Sequence, residues 1–133
     1  MRTRKIIKTS KGEEKIINLL RRGGIWFERE VSFKGLNGYK GAPLRFDFAV
    51  YNKAGQLSAL IDVDGIQHFE YTPFFHKNRS GFKKAQGYDM MKNKYCLLNK
   101  IPFIRVPFWD LDDLTLIKLF NTPDYIVRSK YHN

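Results

Sequence analysis

Five side chains of the kinds that handle metals and protons stand out in this chain: Glu13, Asp47, Asp62, Asp64 and His68. The densest stretch is Leu60-Ile-Asp-Val-Asp-Gly-Ile-Gln-His68, preceded by Arg45-Phe-Asp-Phe-Ala49. Each segment sets acids among apolar residues, the pattern of a short β-strand. Residues i and i+2 of a strand share a face, so Asp62 and Asp64 are expected to point the same way. Asp47, on an adjacent strand, meets them if the register is right. Carboxylates gathered in an apolar sheet are expensive unless something positive sits between them. A hard divalent cation, Mg²⁺ or Mn²⁺, is the expected answer, because such ions prefer carboxylate oxygens. Gly65 breaks the strand and lets Gln67 and His68 fold back over its end. His68, with an unperturbed pKa of about 6.5, is then the expected proton acceptor. Asp89 is a candidate to orient it through the other ring nitrogen.

These groups need elements to hold them. Ser10 reads as a helix N-cap, and Glu13 three residues later completes a capping-box pattern. The spacing predicts a helix over Ser10–Arg22, stopped by Arg21-Arg-Gly-Gly24. On it Glu13, Ile17 and Leu20 share the face toward a sheet, and Glu14 faces elsewhere, beside Lys15 and Asn18. Strands are expected at Ile25–Phe33, Leu44–Tyr51, Gln56–Asp64 and Ile101–Pro107. Residues 34–43 read as a turn or long hairpin loop. Asn52-Lys-Ala-Gly55 predicts an antiparallel hairpin. A long helix is expected over Gly81–Asn99, with Phe82, Ala85, Tyr88, Met91, Tyr95 and Leu98 on a 3–4 spacing. Because it joins the third and fourth strands, those two should be parallel. A last helix is expected over Leu111–Phe120. The expected fold is α/β, a central mixed four-stranded sheet flanked by the Ser10–Arg22 and Gly81–Asn99 helices. Residues 1–133 are expected to form a single domain, with 1–9 a basic arm.

At 133 residues, with 43% hydrophobic and 15% aromatic side chains, one real core is expected and disorder is not. Twenty-four Lys and Arg against 13 Asp and Glu leave a net charge of +11. Such an excess points to a polyanionic partner, nucleic acid ahead of an anionic membrane surface. Arg45, Lys77, Arg79, Lys83, Lys84, Lys92, Lys94 and Arg105 are the expected phosphate contacts. The aromatic run from Phe69 to Phe75 reads as packing rather than as a base-stacking platform. The single cysteine, Cys96, excludes a disulfide framework and a Cys-rich zinc site, and its apolar neighbours suggest a buried structural thiol. No apolar run has the length of a membrane span, and no signal-peptide core follows the basic Met-Arg-Thr-Arg-Lys5. A cytoplasmic location is the expectation.

Five pieces in order carry a family resemblance: Ser10-Lys-Gly-Glu13, Leu44-Arg-Phe-Asp-Phe48, Ile61-Asp-Val-Asp-Gly-Ile-Gln-His68, Asp89-Met-Met-Lys-Asn-Lys-Tyr-Cys96 and Ile101-Pro-Phe-Ile-Arg-Val-Pro107. Together they resemble the PD-(D/E)xK nuclease superfamily, in particular the branch of the very-short-patch repair endonucleases and the phage-type homing endonucleases described as EDxHD enzymes. The resemblance implies a restriction-endonuclease-like core and a Mg²⁺- or Mn²⁺-dependent endonuclease that hydrolyses phosphodiester bonds of double-stranded DNA. It implies a metal held by Asp47, Asp62 and the backbone carbonyl of Val63, a first-helix acid at Glu13, and His68 as base with Gln67 and Asp89 beside it. The superfamily's third-strand lysine is absent, and Asp64 stands in its place among the site residues. Asp62 is shorter than the common Glu. The resemblance further implies a phage- or bacterium-encoded protein and allows a homodimer for double-strand cleavage. A separate DNA-recognition region is not evident, so an isolated catalytic domain or a nuclease of little sequence specificity is expected. A structure-specific resolvase, a ribonuclease, and a non-catalytic DNA-binding module on a nuclease fold are the alternatives. Intact acids at Asp47 and Asp62 argue against the last, since burying them without a metal is costly.

Overall fold

The structure is a computed structural model and describes residues 10–65 and 79–121. The first helix, α1 (Lys11–Arg22), begins as its sequence demands. The Ser10 Oγ accepts the Glu13 N–H at 3.1 Å, glutamates fill the first turn and arginines the last, and Gly23 closes it. Four strands follow: β1 (Trp26–Asn37), β2 (Pro43–Tyr51), β3 (Leu57–Asp64) and β4 (Phe103–Pro107). The long helix α2 (Arg79–Leu98) lies between β3 and β4 in the chain. A 3₁₀ turn (Phe108–Asp110) and a short helix, α3 (Leu116–Asn121), complete the described elements.

The sheet order is β1-β2-β3-β4, antiparallel through the first three strands and parallel between β3 and β4. The β2–β3 turn is an Asx turn. Asn52 Oδ1 accepts the N–H groups of Ala54 and Gln56, and Gly55 takes φ +80°, which a side chain would resist. This is the mixed four-stranded α/β sheet the periodicities predict. Two boundaries differ by more than two residues. The first strand runs on to Asn37, into the expected loop. The expected helix over 111–120 begins only at Leu116, where the Thr115 hydroxyl accepts the Lys118 N–H as a cap.

Both faces of the sheet are covered. Ile16, Ile17 and Leu20 of α1, with Leu114 and Leu119, pack on Phe48, Val50, Ile61, Ile104 and Val106. On the other face Met91, Tyr95 and Cys96 of α2 pack with Leu36, Phe46, Ala49, Leu60 and Phe103. The strict alternation of β1 and β2 breaks at one level. Phe27 packs on the α1 face but Val31 and Phe33 on the α2 face, although all three share parity; likewise Phe48 and Phe46. The break falls at Glu30, whose φ is +55°, and at Asp47 opposite it. Such left-handed backbone is uncommon outside glycine and asparagine. Here it turns an acid toward α1 that regular pleating would send to the other side.

Candidate functional site

The recorded β2–β3 ladder ends at Phe48↔Ile61. One step further, two aspartate side chains take over the role of backbone acceptors. Asp62 Oδ1 accepts the Asp47 N–H at 2.9 Å, and Asp47 Oδ2 accepts the Val63 N–H at 2.8 Å. The strands are thus held together by carboxylates where the sheet opens. A cavity of about 460 Å³ lies at this end, lined by Glu13, Asp47, Asp62, Val63, Gly65, Lys92 and Phe108 among others. The carboxyl ends of β3 and β4 bound it, the position at which open α/β sheets bind ligands.

Each lining group has an identifiable support. Gly12 lets the first turn of α1 press on the sheet: a Cβ there would lie 2.8 Å from Val63 Cγ1. Glu13 follows it, receives the Ser10 hydroxyl on Oε1 at 3.2 Å and the Arg29 guanidinium on Oε2 at 2.8 Å. Lys92 enters from α2, with its ammonium 2.6 Å from Asp62 Oδ2 and 5.0 Å from the centre of the Phe46 ring. Burial alone would lower the lysine's pKa; the Asp62 charge and hydrogen bond, with Asp47 further off, outweigh it and raise it. Asp47 has the opposite difficulty. Burial pushes its pKa well above 3.8, and the carboxylates of Asp62 and Glu13 add to the rise, while the Val63 N–H and Lys92 offset only part of it.

Glu13, Glu30 and Asp47 bring one carboxylate oxygen each within 4.8 Å of one another. Three hard oxygen donors at that spacing, one of them a carboxyl that its neighbours discourage from ionising, fit a hard cation of the Mg²⁺ or Mn²⁺ class. Of the metal set expected from the sequence, Asp47 belongs to this group. Asp62 is engaged with Lys92, and Val63 lines the cavity and donates its N–H to Asp47.

The remaining expectations divide. Asp64 shares a face with Asp62 yet does not line the cavity. It is fully buried against Arg105, whose Nη1 lies 3.0 and 3.2 Å from its two carboxylate oxygens. Arg105, expected on phosphates, is likewise fully buried and is not a surface contact; a guanidinium with internal acceptors on every side has no reason to seek water. Asp89, expected beside His68, is buried with Oδ1 3.5 Å from Arg105 Nη1. Arg45, Lys83, Lys84 and Lys94 are exposed, as phosphate contacts require. Gln67, His68 and Lys77, the aromatic run of residues 69–75 and the basic arm of residues 1–9 lie outside the described residues, as does the side chain of Arg79.

Glu30 and Arg29 are what a reading of the sequence misses. Glu28-Arg29-Glu30 looks like a solvated stretch, and no periodicity signals that the strand turns over at Glu30. Lys92 was legible as a cation but not as one pointing inward.

No family model matches this chain, and no solved structure matches it. A stretch of 48 residues is 35% identical to uncharacterized protein 307L of Invertebrate iridescent virus 6. That stretch is 36% of this chain and 24% of the viral protein, so the chain matches about a quarter of that relative's length.

Proposed function

We propose that this chain is a metal-dependent nuclease domain that hydrolyses DNA phosphodiester bonds at the cavity between α1, β3 and α2. One observation carries the reading. Asp47 and Asp62, from adjacent strands, meet at an open sheet end beside a partly buried lysine and a helix glutamate, in a chain of net charge +11. Acids concentrated at one point of a basic protein suit a polyanion held over a cation.

Glu13, Glu30 and Asp47 would hold the cation, with Asp62 and the Val63 backbone beside them. A bound Mg²⁺ or Mn²⁺ would supply Lewis-acid stabilisation of charge developing on the phosphate. The protein's own groups do the rest. Arg29 and the Ser10 hydroxyl hold Glu13 in place at the cavity. Lys92 pairs with Asp62 and offers a cation to a phosphate oxygen. The proton acceptor in this reading is His68, which follows the cavity-lining Gly65 in the chain. The exposed Arg45, Lys83, Lys84 and Lys94 would track the backbone.

The restriction-endonuclease-like assignment, the kinship with very-short-patch repair and phage-type homing endonucleases, and a homodimer for double-strand cleavage belong to the same proposal. Its support is the order of one helix, three antiparallel strands, a long helix and a parallel strand, and the placement of Glu13, Asp47 and Asp62. No described helix is long and apolar enough to cross a membrane. The test is cleavage of supercoiled plasmid by the purified chain with Mg²⁺, Mn²⁺ or EDTA, comparing wild type with Asp47→Asn and His68→Ala. Metal-dependent nicking lost in Asp47→Asn is expected. His68→Ala should still bind DNA but cut about 10²–10⁴-fold more slowly, the usual cost of a lost general base. Equal cutting by all three chains would end the proposal.

A further inference from the structure

Arg105 is fully buried and spends its guanidinium on one turn of α2 and on the end of β3. Nε donates to Asn93 Oδ1 at 2.9 Å, and Nη2 donates to the backbone carbonyl of Asp89 at 3.0 Å. Nη1 reaches both Asp64 oxygens at 3.0 and 3.2 Å and lies 3.5 Å from Asp89 Oδ1. Lys92 sits inside the clamped turn, between Asp89 and Asn93. Asp62, which Lys92 meets at 2.6 Å, shares a strand face with Asp64. Register carries the link further, because Asp62 stands opposite Arg105 itself in the β3–β4 pairing. The two ion pairs are therefore parallel struts between α2, β4 and β3, one sealed and one open to the cavity.

Helix α2 gives the clamp its purpose. Its apolar residues do not form a strongly one-sided stripe: Leu97 and Leu98 are mostly exposed and Met90 nearly half exposed. Apolar burial alone leaves the rotation of such a helix weakly specified. A planar guanidinium with fixed donor directions specifies it, since it must meet a backbone carbonyl and an amide side chain on successive turns. We propose that Arg105 is the positioning residue of this site: it sets the rotation of α2 and so holds the Lys92 ammonium on Asp62 at the cavity. Arg105 touches no cavity space and acts only through Lys92. The inference rests on the proposed nuclease reading for its effect on rate, and on geometry alone for its effect on Lys92.

The experiment is a double-mutant cycle with two readouts. Arg105→Lys keeps the charge but not the fork, and Asn93→Ala removes one arm without touching an ion pair. Each is made in wild type and in Lys92→Met, with Leu119→Ala, buried on the opposite sheet face, as a general destabilising control. Plasmid nicking with Mg²⁺ should fall by about 10²-fold in Arg105→Lys, the scale of an ångström-level misplacement, and less in Asn93→Ala. Neither should matter in the Lys92→Met background. The second readout needs no cleavage. Amine acylation followed by mass spectrometry gives the labelling of Lys92 relative to the exposed Lys94. That ratio should rise about 10-fold in both variants, the effect of one pKa unit of lost ion pairing, and stay unchanged in Leu119→Ala. Equal losses in both backgrounds, or a labelling ratio unmoved by Arg105→Lys, would overturn the positioning role. A wild type that never cuts would reject the nuclease reading alone, with the labelling result still deciding the role of Arg105.

Discussion

Asp62 and Asp64 are the same residue type, two positions apart, on one face of one strand, and they meet opposite fates. Asp64 has no exposed surface and is paired with a guanidinium that is equally enclosed. Asp62 is nearly as buried, yet it borders the cavity, gives one oxygen to a neighbouring strand's N–H and the other to a lysine. The difference lies in which element each partner comes from. Arg105 reaches Asp64 from the adjacent strand, inside the packed layer, and Lys92 reaches Asp62 from a helix that leaves room beside it. A sealed pair serves the fold; an open pair next to an acid held in an unfavourable state is poised for a ligand.

The sharpest way to break this comparison is to remove each acid. Asp64→Ala leaves Arg105 buried and unpaired, and should cost about 3–5 kcal/mol of stability, measured by urea unfolding. A loss below about 1 kcal/mol would mean that Arg105 finds water or other acceptors, and the pair would not be a sealed strut.

Asp47→Asn should do the reverse. It removes a carboxylate that burial and two neighbouring acids disfavour, so metal-free stability should hold or rise. Cation binding, followed by Mn²⁺ titration, and plasmid nicking should both fall by about 10²–10³-fold, the scale of a lost electrostatic group in an active site. Unchanged Mn²⁺ affinity would remove Asp47 from the proposed ligand set and leave Glu13 and Glu30 to be tested in turn.

The pH dependence follows from the same residue. The folded pKa of Asp47 is raised above its unfolded value, so the native state holds that proton more tightly. Its stability contribution is therefore complete below the ordinary carboxylate value of 3.8 and is lost as pH rises through the folded pKa. Metal-free wild type should lose stability over that interval, and Asp47→Asn should lose less. A divalent cation binds the ionised form, so its stabilising effect should grow with pH. Thermal melts across pH with and without Mg²⁺ check both signs.

The smallest effects concern surface cations. Replacing the exposed Lys94 or Arg45 by Gln should weaken DNA binding modestly and lower the salt slope by roughly 1 per lost contact. Arg105, enclosed, should contribute nothing to that slope. Fluorescence anisotropy at several salt concentrations separates the two classes, and a slope change for Arg105→Gln equal to that of Lys94→Gln would erase the distinction between buried and exposed cations.

Much of the scaffold was legible because its signals are local. The Ser10 cap, the Arg-Arg-Gly-Gly stop and the Asn52–Gly55 turn are short-range chemistry, and each chooses one backbone conformation. The hairpin turn made the strands of Asp47 and Asp62 neighbours, but the two acids face each other only through a register shift between Val50 and Tyr51 that no local signal announces. The Thr115 cap is present in the sequence, but the expected last helix starts ahead of it, at Leu111.

What tertiary structure alone decided is which charges face a cavity. A period of two places Asp62 and Asp64 on one face but cannot say which meets Arg105 and which meets Lys92, because both partners arrive across more than 25 residues of chain. The same period sends Glu30 to the wrong side, since one residue at φ +55° reverses every later side chain of its strand. Helix rotation is likewise a non-local quantity. The sequence of α2 carries Lys92, Lys94 and Asn93 side by side, and only packing against β4 decides that the first points inward, the second outward and the third onto Arg105.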